Sequence, residues 1–515
     1  MCPILFLALG SALLSPGDAT AAAAHSIQAP HQSGDVGFFT SLVLDAAGNP
    51  VVSYSDHTNN YLQLLHCNDP NCAGGDDSTQ SPDTASGVGD YTSLTLDSVG
   101  NPVASYYDDT NDNLKLLHCN DPNCAGAGDS IQSPDTAGAV GPYTSLVLDA
   151  AGNPVVSYSG NGDLKVLHCN DPYCVGANES IQSPDTTDNI WDTSLVLDAA
   201  GNPVVSYYTP TTGDLKLLHC NDPNCAGGND SIQSPDTGGD VGQFPSLALD
   251  AAGNPVVSFS DSFGDNELKV IHCNDPNCAG GNESIVQVDI AGDVGSYTSL
   301  VLDASGNPVV SYWDETNGDL KLLHCNDQNC AGGNESTQSP DTNNSGLYTS
   351  LTLDASGNPV VSYLSSTNTD LKVLHCANQN CSNDSDSDGA PDNADLNDDN
   401  DACTDEQESA GSAAQGGQRN PKNFWDFFDT PDAANVRDRV VTAGDIARVV
   451  ARFGSTGDPA IDPLSAPSAA PAYHTAFDRS PAPPSGDIWD VGPPNGSITA
   501  SDLAAVVAQF GHSCA

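Results

Sequence analysis

The sequence predicts a mainly β protein, and three observations lead to this fold class. Between residues 26 and 381 the chain repeats one unit seven times, and a His-Cys dipeptide marks each unit at a spacing of 50 to 53 residues. Each unit contains four short runs of strand-forming residues. The last unit lacks its fourth run, whereas residues 25–37 supply a matching run before the first unit. Such repeats are typical of a β-propeller, so we expect seven four-stranded blades over residues 25–382, closed by the N-terminal strand.

The third unit shows the four runs most clearly. SLVL (residues 145–148) is rich in β-formers, and a turn with the sequence AAGN leads from it into PVVSY. LKVLHC and SIQSP then provide the third and fourth runs. A ring in which the first strand completes the last blade leaves no sheet edge exposed.

Charge and the N-terminal sequence indicate an exported protein. The chain has 13 basic and 68 acidic residues, a net charge of −55, which argues against nucleic acid or an anionic membrane as a partner. Residues 1–24 combine an apolar run with a small-residue stretch, as in a signal peptide. No other stretch is long and apolar enough to form a transmembrane segment. We therefore expect a secreted, extracellular or cell-surface protein, and a monomer.

The cysteines support export. Of 17 cysteines, fourteen form seven pairs five residues apart, and Cys2 lies in the signal peptide. An even number in an exported chain predicts disulfides, here tying the third strand of a blade to the start of the fourth. A metal site is the alternative, because a histidine precedes each pair. The predicted disulfide cysteines are Cys67, Cys72, Cys119, Cys124, Cys169, Cys174, Cys220, Cys225, Cys273, Cys278, Cys325, Cys330, Cys376, Cys381, Cys403 and Cys514.

Ligand-binding residues are expected where the units differ. An aspartate before each Gly-Asn-Pro turn and the histidine of each unit recur in every blade, so we assign them structural roles. The residue after the recurring Ser-Tyr varies, and aromatic side chains there could stack on a sugar or peptide. Ordinary loop variation is the alternative. The candidate ligand-binding residues are Tyr107, Trp191, Tyr208, Trp313 and Asp314.

No catalytic residues are assigned. The first arginine of the chain is Arg419, which excludes an arginine cluster of the sialidase kind in the propeller. Acidic residues are abundant, but no pair stands out as acid and base for glycoside hydrolysis. Neither a Gly-x-Ser-x-Gly nor a His-Glu-x-x-His motif is present.

Residues 383–410 are predicted to bind calcium. Eleven carboxylates fall between residues 384 and 408, many of them two residues apart, and hard oxygen ligands in such spacing suit calcium. The pattern D-x-D-x-D-G-x-x-D-x-x-D resembles thrombospondin type 3 repeats, which implies a calcium-wrapped connector of adhesive extracellular proteins. A disordered acidic linker is the alternative. The candidate ligands are Asp384, Asp386, Asp388, Asp392, Asp395, Asn397, Asp399, Asp401, Asp405 and Glu408.

After a linker at residues 411–420, residues 421–515 contain a duplication. TAGDIARVVARFG (442–454) and TASDLAAVVAQFG (499–511) predict two packed helices, separated by a proline- and alanine-rich insert at 455–486. One helical face would carry Ile446, Val449, Val450 and Phe453, and the other Leu503, Val506, Val507 and Phe510. Cys403 and Cys514 would staple the ends of this module.

The duplication resembles dockerin modules, which carry two EF-hand-type calcium loops and dock onto cohesins. The resemblance implies calcium ligands at Asp490, Asn495 and Asp502, and a cohesin-like partner. In the first half, Arg439 replaces the loop glycine, so calcium binding there is left open. In the alternative interpretation, Thr442 with Asp445 and Thr499 with Asp502 are helix caps.

Three functions are consistent with this organisation. The first is a modular calcium-binding protein whose propeller binds an extracellular glycan or protein and whose dockerin-like end attaches it. The second is a polysaccharide-degrading glycoside hydrolase or lyase with its site on the propeller face. The third is a structural surface protein. Two carboxylates converging at the central channel would favour the enzyme, and an aromatic patch without them would favour binding.

Overall fold

The computed structural model describes residues 25–382, apart from 177, 263–265, 334 and 343, and parts of the C-terminal region. The predicted signal peptide and all candidate calcium ligands between 384 and 408 lie outside the described residues, as do Cys403, Asp490 and Cys514. The chain divides into two compact units, one of which is His25–Ser382. The described C-terminal residues are 404, 419, 427–432, 435–459, 461, 463–468, 472–479, 489, 491 and 493–513.

The first unit is a seven-bladed β-propeller, as expected from the sequence. Seven four-stranded antiparallel sheets are present, and in six of them the strands follow in chain order. The innermost strands are β2 (Val36–Leu44), β6 (Val88–Leu96), β10 (Ser145–Leu148), β14 (Trp191–Leu197), β18 (Val241–Leu249), β22 (Val294–Leu302) and β26 (Ser345–Leu353). The second strands are β3 (Pro50–Asp56), β7 (Pro102–Asp108), β11 (Pro154–Gly160), β15 (Pro203–Thr209), β19 (Pro255–Asp261), β23 (Pro308–Asp314) and β27 (Pro359–Ser365).

The two outer strands complete each blade. The third strands are β4 (Tyr61–His66), β8 (Asn113–His118), β12 (Asp163–His168), β16 (Asp214–His219), β20 (Glu267–His272), β24 (Asp319–His324) and β28 (Asp370–His375). The fourth strands are β5 (Ser78–Asp83), β9 (Ser130–Asp135), β13 (Ser180–Asp185), β17 (Ser231–Asp236), β21 (Ser284–Asp289), β25 (Ser336–Asp341) and, in the last blade, β1 (Ser26–His31). Because β1 pairs antiparallel with β28, the predicted closure of the ring is confirmed.

Buried ion pairs join neighbouring blades. Asp185 ends the fourth strand of one blade, and its Oδ2 accepts hydrogen bonds from Tyr207 (2.8 Å) and Lys216 (3.0 Å) of the next. All six lysines within residues 25–382 make such an inter-blade pair with an aspartate. At the closing seam the charged pair is replaced, because His31 takes the place of the aspartate and its Nδ1 lies 2.7 Å from the Tyr54 hydroxyl. The blades are therefore held together by polar links as well as by apolar packing.

The two faces of the propeller are built from different loops. One face, which we call the disulfide face, carries the turns between first and second strands and the loops between third and fourth strands. Each of these loops holds one disulfide, so seven of the eight predicted pairs are present in the structure. The other face, which we call the channel face, carries the hairpins between second and third strands and the connections to the next blade.

Recurring aspartates and histidines organise the disulfide face. Asp149 Oδ1 accepts hydrogen bonds from the backbone N–H groups of Ala151 and Asn153, both at 2.8 Å, as expected for a turn aspartate. His168 contacts the same aspartate through Nε2 (3.1 Å) and the carbonyl of Pro223 in the next blade through Nδ1 (2.9 Å). The recurring histidines thus link blades, and the cysteines of each pair are bonded to each other, which argues against a metal site shared by these histidines and cysteines.

The C-terminal unit contains two short α-helices, α1 (Ala443–Val450) and α2 (Ala500–Ala508), and a 3₁₀ turn, Thr475–Phe477. Both helices begin with a capping box, formed by Thr442 with Asp445 and by Thr499 with Asp502, so the capping interpretation is confirmed. The helices contact each other and a shared apolar core. None of the described helices is long and apolar enough to cross a membrane.

The predicted apolar faces of α1 and α2 are only half buried. Val449 and Val506 are in the core, as expected. Four other residues of the predicted faces are exposed, because residues outside the helices, including Phe427, Phe428 and Phe477, occupy the core beside them. The exposed side chains are Val450 (51%), Phe453 (55%), Val507 (50%) and Phe510 (54%).

Candidate functional site

Bulges in six of the seven innermost strands shape the channel of the propeller, and in the third blade Tyr143 takes the equivalent position just before β10. In the second blade the register passes from the Asp90–Tyr107 pair to the Ser93–Ser105 pair, so β6 carries one residue more than its partner strand. Tyr91, within this bulge, has φ of 53°, the left-handed region that bulky residues rarely adopt. The same conformation recurs at the equivalent position of all seven blades, with φ between 49° and 58°.

The residues at these seven positions line one cavity of about 200 Å³ on the propeller axis. Six of them are aromatic, and the fourth blade supplies an aspartate. We call this set the channel ring, and its members are Phe39, Tyr91, Tyr143, Asp192, Phe244, Tyr297 and Tyr348. The residue that follows each of them also lines the cavity and is threonine except at Pro245.

Hydrogen bonds from the recurring Thr-Ser-Leu sequence fix the positions of the channel-ring residues. Thr144 donates through Oγ1 to the carbonyl of Tyr91 in the preceding blade (2.8 Å), and Leu146 donates its N–H to Ser93 Oγ (3.0 Å). Corresponding bonds connect the last blade to the first, where Thr40 binds the Tyr348 carbonyl at 2.8 Å. These bonds hold the bulges at fixed positions and so offset the cost of the left-handed conformation, about 1–3 kcal/mol per residue.

The aromatic side chains form a continuous arc. Ring centroids of neighbours lie 4.4 to 4.6 Å apart, running from Phe244 through Tyr297, Tyr348, Phe39 and Tyr91 to Tyr143. Asp192 fills the gap between the two ends of this arc. The site is therefore an aromatic wall interrupted by one carboxylate.

Among the described residues, the Asp192 carboxylate has few hydrogen-bond partners. The described residues give its carboxylate one hydrogen bond, from the backbone N–H of Phe244 at 3.3 Å. Burial raises the pKa of Asp192 to about 6, and the Phe244 bond only partly opposes this. The phenolic groups of Tyr91 and Tyr143 border the same cavity, and burial raises their pKa values as well, so they are neutral near pH 7.

Four of the five predicted ligand-binding residues lie beside the channel ring. Trp191 is 47% exposed, and its ring centroid lies 6.3 Å from those of Tyr143 and Tyr208. Tyr208 is buried and donates its hydroxyl to Asp240. Trp191 is thus placed to contact a ligand at the mouth of the channel, whereas Tyr208 supports it.

Tyr107 and Trp313 support the ring at other points. Tyr107 is buried, lies 6.4 Å from Tyr91 between ring centroids, and donates its hydroxyl to Asp112 at 2.6 Å. The Trp313 ring lies 6.2 Å from that of Tyr297.

Asp314 is placed differently from the expectation. It is buried, and its carboxylate accepts hydrogen bonds from the backbone N–H and the side-chain amide of Asn317, both at 2.9 Å. These hydrogen bonds hold the Asp314 carboxylate within the hairpin turn.

Two candidate metal ligands, Asn495 and Asp502, lie within the described residues, and both make hydrogen bonds inside the C-terminal unit. Asn495 accepts a bond from the Ser497 N–H through Oδ1 (3.1 Å), and the buried Asp502 caps α2. Asp478 approaches Asp502, and burial together with this neighbour raises the pKa of Asp502. Asp478 Oδ1 is buried without a hydrogen-bond partner among the described residues, so a cation in this half would draw on Asp478 and Asp502.

Sequence reasoning missed the channel ring itself. The signal was present, because a phenylalanine or tyrosine stands two residues before Ser-Leu in six units and Asp192 stands there in the fourth. Asp192 was visible only as a break in the pattern beside Trp191. The aromatic residues recur in nearly every blade, so the rule that recurring residues are structural assigned them no role in binding.

Comparison with known proteins gives matches among solved structures only. No protein-family model matches the sequence, and no curated protein matches it. Several solved structures are similar in fold. An ulvan lyase of polysaccharide lyase family 25 is 13% identical, with a TM-score of 0.46 over 68% of this chain and 94% of the lyase.

Two further structures are more distant. An α-L-arabinanase from Penicillium chrysogenum is 15% identical, with a TM-score of 0.38 over 55% of this chain and 92% of the arabinanase. Regucalcin from Agrobacterium tumefaciens, described as a calcium-binding protein, is 12% identical, with a TM-score of 0.34 over 55% of this chain and 88% of regucalcin. Likeness of this degree carries no conclusion about the ligand or activity of this chain.

Proposed function

We propose that this chain is a secreted or cell-surface binding protein whose propeller holds an extracellular ligand, a glycan or a protein, at the channel ring. One observation carries the proposal: six aromatic side chains and a single carboxylate converge on one cavity at the channel face. Cavities lined by aromatic groups with a few placed polar groups are typical ligand sites. Trp191, exposed beside the ring, extends this surface outward.

The same geometry argues against the two enzymatic alternatives. Glycoside hydrolysis uses two carboxylates on opposite sides of the bond, and among the described residues Asp192 alone supplies a carboxylate to the cavity. A lyase acting on a uronate has to stabilise the negative charge of the sugar carboxylate, and no lysine or arginine in the described part of the chain lines the cavity. The lysines of residues 25–382 are all engaged between blades, and that range contains no arginine.

A purely structural role is the remaining alternative. Seven residues of the ring adopt the left-handed conformation, but so does the second cysteine of each of the seven disulfides on the disulfide face, so this strain alone does not distinguish binding from structure. The convergence of six aromatic side chains and one carboxylate on a single cavity is the observation that favours binding.

Attachment through the C-terminal region is the second part of the proposal. Calcium bound by residues 383–410 would order the connector, and the dockerin-like module would then dock onto a cohesin-like partner. The exposed side chains of Val450, Phe453, Val507 and Phe510 support docking, because they occupy equivalent positions in the two duplicated segments, at or just beyond the helices. Exposed apolar residues at related positions are typical of protein interfaces.

The binding proposal is tested with the full-length chain on a glycan array and, in parallel, against extracellular-matrix proteins. We expect a ligand whose binding is lost in Tyr91→Leu. Tyr173→Leu is the control, because Tyr173 is 51% exposed in a disulfide loop on the opposite face. Thermal unfolding of both variants shows whether the propeller remains folded.

Two outcomes would contradict the proposal. One is ligand binding that a folded Tyr91→Leu variant retains in full. The other is release of sugar fragments from a bound polysaccharide, which would establish the enzyme. If the first outcome is accompanied by loss of binding in Tyr173→Leu, the site lies on the disulfide face.

A further inference from the structure

The charge balance of the channel ring leaves Asp192 without a cation from its own propeller. Each of the six lysines between residues 25 and 382 is held by an inter-blade aspartate, and no arginine occurs in that range. Among the seven equivalent positions of the channel ring, Asp192 is the one residue that is not aromatic. The propeller therefore has no lysine or arginine left to pair with Asp192, and a bound cation could take that place.

The aromatic wall has the same electrostatic preference as the carboxylate. The faces of phenylalanine and tyrosine rings carry negative potential and attract cations within about 6 Å of the ring centroid. Six such rings surround the cavity, and adjacent centroids lie only 4.4 to 4.6 Å apart. The net charge of −55 adds a long-range attraction for cations.

The cavity has room for a compact head group. Its volume of about 200 Å³ corresponds to roughly six or seven water molecules, and it is open to solvent, so the rest of a larger ligand can extend outward. An aromatic cavity with one acidic residue suits an organic ammonium group, because ammonium groups bind to aromatic faces and pair with a carboxylate.

We propose that the channel ring binds an organic ammonium group, with Asp192 as its counter-ion and Tyr143 and Phe244 as the flanking aromatic walls. The group could belong to a free quaternary ammonium compound of the choline class or to a lysine side chain of a partner. This inference rests on the proposed function, since it assumes that the channel ring is the ligand site. It adds the chemical class of the group that enters the ring.

Calorimetric titration of the full-length chain tests the inference at constant ionic strength, so that attraction by net charge is the same for every probe. The probes are choline, its uncharged isostere 3,3-dimethyl-1-butanol, and Nα-acetyl-lysine amide, whose side-chain ammonium group is free. We expect one of the two cations to bind at least about tenfold more tightly than the isostere. Binding of choline alone identifies the small-molecule source, and binding of the lysine amide alone identifies a partner's side chain.

Matched variants locate the site. Asp192→Asn should weaken cation binding at least about tenfold, whereas Asp109→Asn removes the same charge from an exposed hairpin of the same face and should leave it within about twofold. Tyr143→Leu should weaken binding, and Tyr143→Phe, which keeps the ring, should not. Melting temperatures of the variants establish that they are folded.

The pH dependence of cation binding provides an independent test. Burial raises the pKa of Asp192 to about 6, so cation binding should weaken as pH falls from 7 to 5 in the native chain. The titratable groups facing Asp192 are Tyr91, Tyr143, Tyr208 and Tyr297, and burial raises the pKa of each, so none of them changes charge in this range. In Asp192→Asn the pH dependence should disappear.

Three results would overturn the inference: equal binding of choline, lysine amide and the isostere, no detectable binding of either cation, or cation binding unchanged by Asp192→Asn. Failure of this inference can be distinguished from failure of the proposed function. If a neutral glycan binds and is lost in Tyr91→Leu while neither cation binds, the ligand site stands and the ammonium assignment is wrong.

Discussion

The disulfide face and the channel face of the propeller are made by the same seven repeats, yet they differ in uniformity. On the disulfide face every blade repeats the turn aspartate, the histidine link and the disulfide. On the channel face the fourth blade replaces an aromatic residue with Asp192, and exposed Trp191 stands beside it. The uniform face serves the scaffold, and the face that varies is where a ligand would be recognised.

The two faces also differ in how they use carboxylates. The Asp149 carboxylate accepts two backbone hydrogen bonds and contacts His168, whereas Asp192 accepts one bond from Phe244. Burial raises the pKa of Asp192. Burial acts in the same direction on Asp149, but hydrogen bonds, chiefly from the Asn153 N–H and His168, outweigh it, so the pKa of Asp149 is lowered. One carboxylate therefore stabilises the fold when ionised, and the other destabilises it.

The largest effect is expected from breaking an inter-blade pair. Asp185→Ala leaves Lys216 and Tyr207 without their buried partner and should cost about 3–5 kcal/mol of unfolding free energy. Denaturant unfolding measures this loss. The control is Asp188→Asn, a change at a partly exposed residue three positions away that should stay within about 0.5 kcal/mol. A loss below about 1 kcal/mol in Asp185→Ala would show that these pairs do not hold the blades together.

Removing one disulfide should have a smaller effect. The Cys169–Cys174 bond closes a loop of five residues' separation, for which chain entropy gives about 2 kcal/mol. We expect the Cys169→Ser, Cys174→Ser double variant to lose about this amount in denaturant unfolding and to bind ligand as the native chain does. Impaired binding with unchanged stability would assign the disulfide face to ligand recognition instead.

Asp192→Asn should stabilise the propeller. The pKa of Asp192 is raised in the folded state to about 6, above its ordinary value of 3.8, so the ionised form costs stability at higher pH. The gain should be absent below pH 3.8, should grow as pH rises towards 6 and should reach about 1–2 kcal/mol at pH 7. Urea unfolding over this pH range measures it, and a destabilised variant at pH 7 would contradict the assignment.

Asp149→Asn should have the smallest effect and the opposite sign. The pKa of Asp149 is lowered below 3.8 in the folded state, so its contribution is present above that pH and is lost as pH falls through the lowered value. We expect a loss of about 1 kcal/mol at pH 7 in the same urea experiment. Identical pH profiles for the Asp149 and Asp192 variants would remove the distinction between the two faces.

Much of the scaffold could be predicted from local sequence. Strand-forming runs, turn glycines and cysteine spacing are local signals, and the displaced first strand was enough to predict closure of the ring. The caps of α1 and α2 were likewise predictable from Thr442 with Asp445 and Thr499 with Asp502. These features depend on residues close together in the chain or on the order of the repeats.

The channel ring could not be predicted in the same way. A bulge is defined by the register between two strands, and periodicity gives no reason to place Tyr91 or Phe244 in the left-handed region. Exposure of Val450 and Phe453 depends on packing by Phe427 and Phe477, which lie in other segments. Both features arise from contacts between distant parts of the sequence.

Making the fourth blade match the others tests the central claim most directly. Asp192→Tyr completes the aromatic ring, and the measurement is calorimetric binding of choline and of the lysine amide by this variant and by the native chain, with a thermal melt of each. Our account predicts a propeller at least as stable as the native one that no longer binds the cation that the native chain binds. A variant that binds this cation as well as the native chain would contradict the claim that function lies where the blades differ.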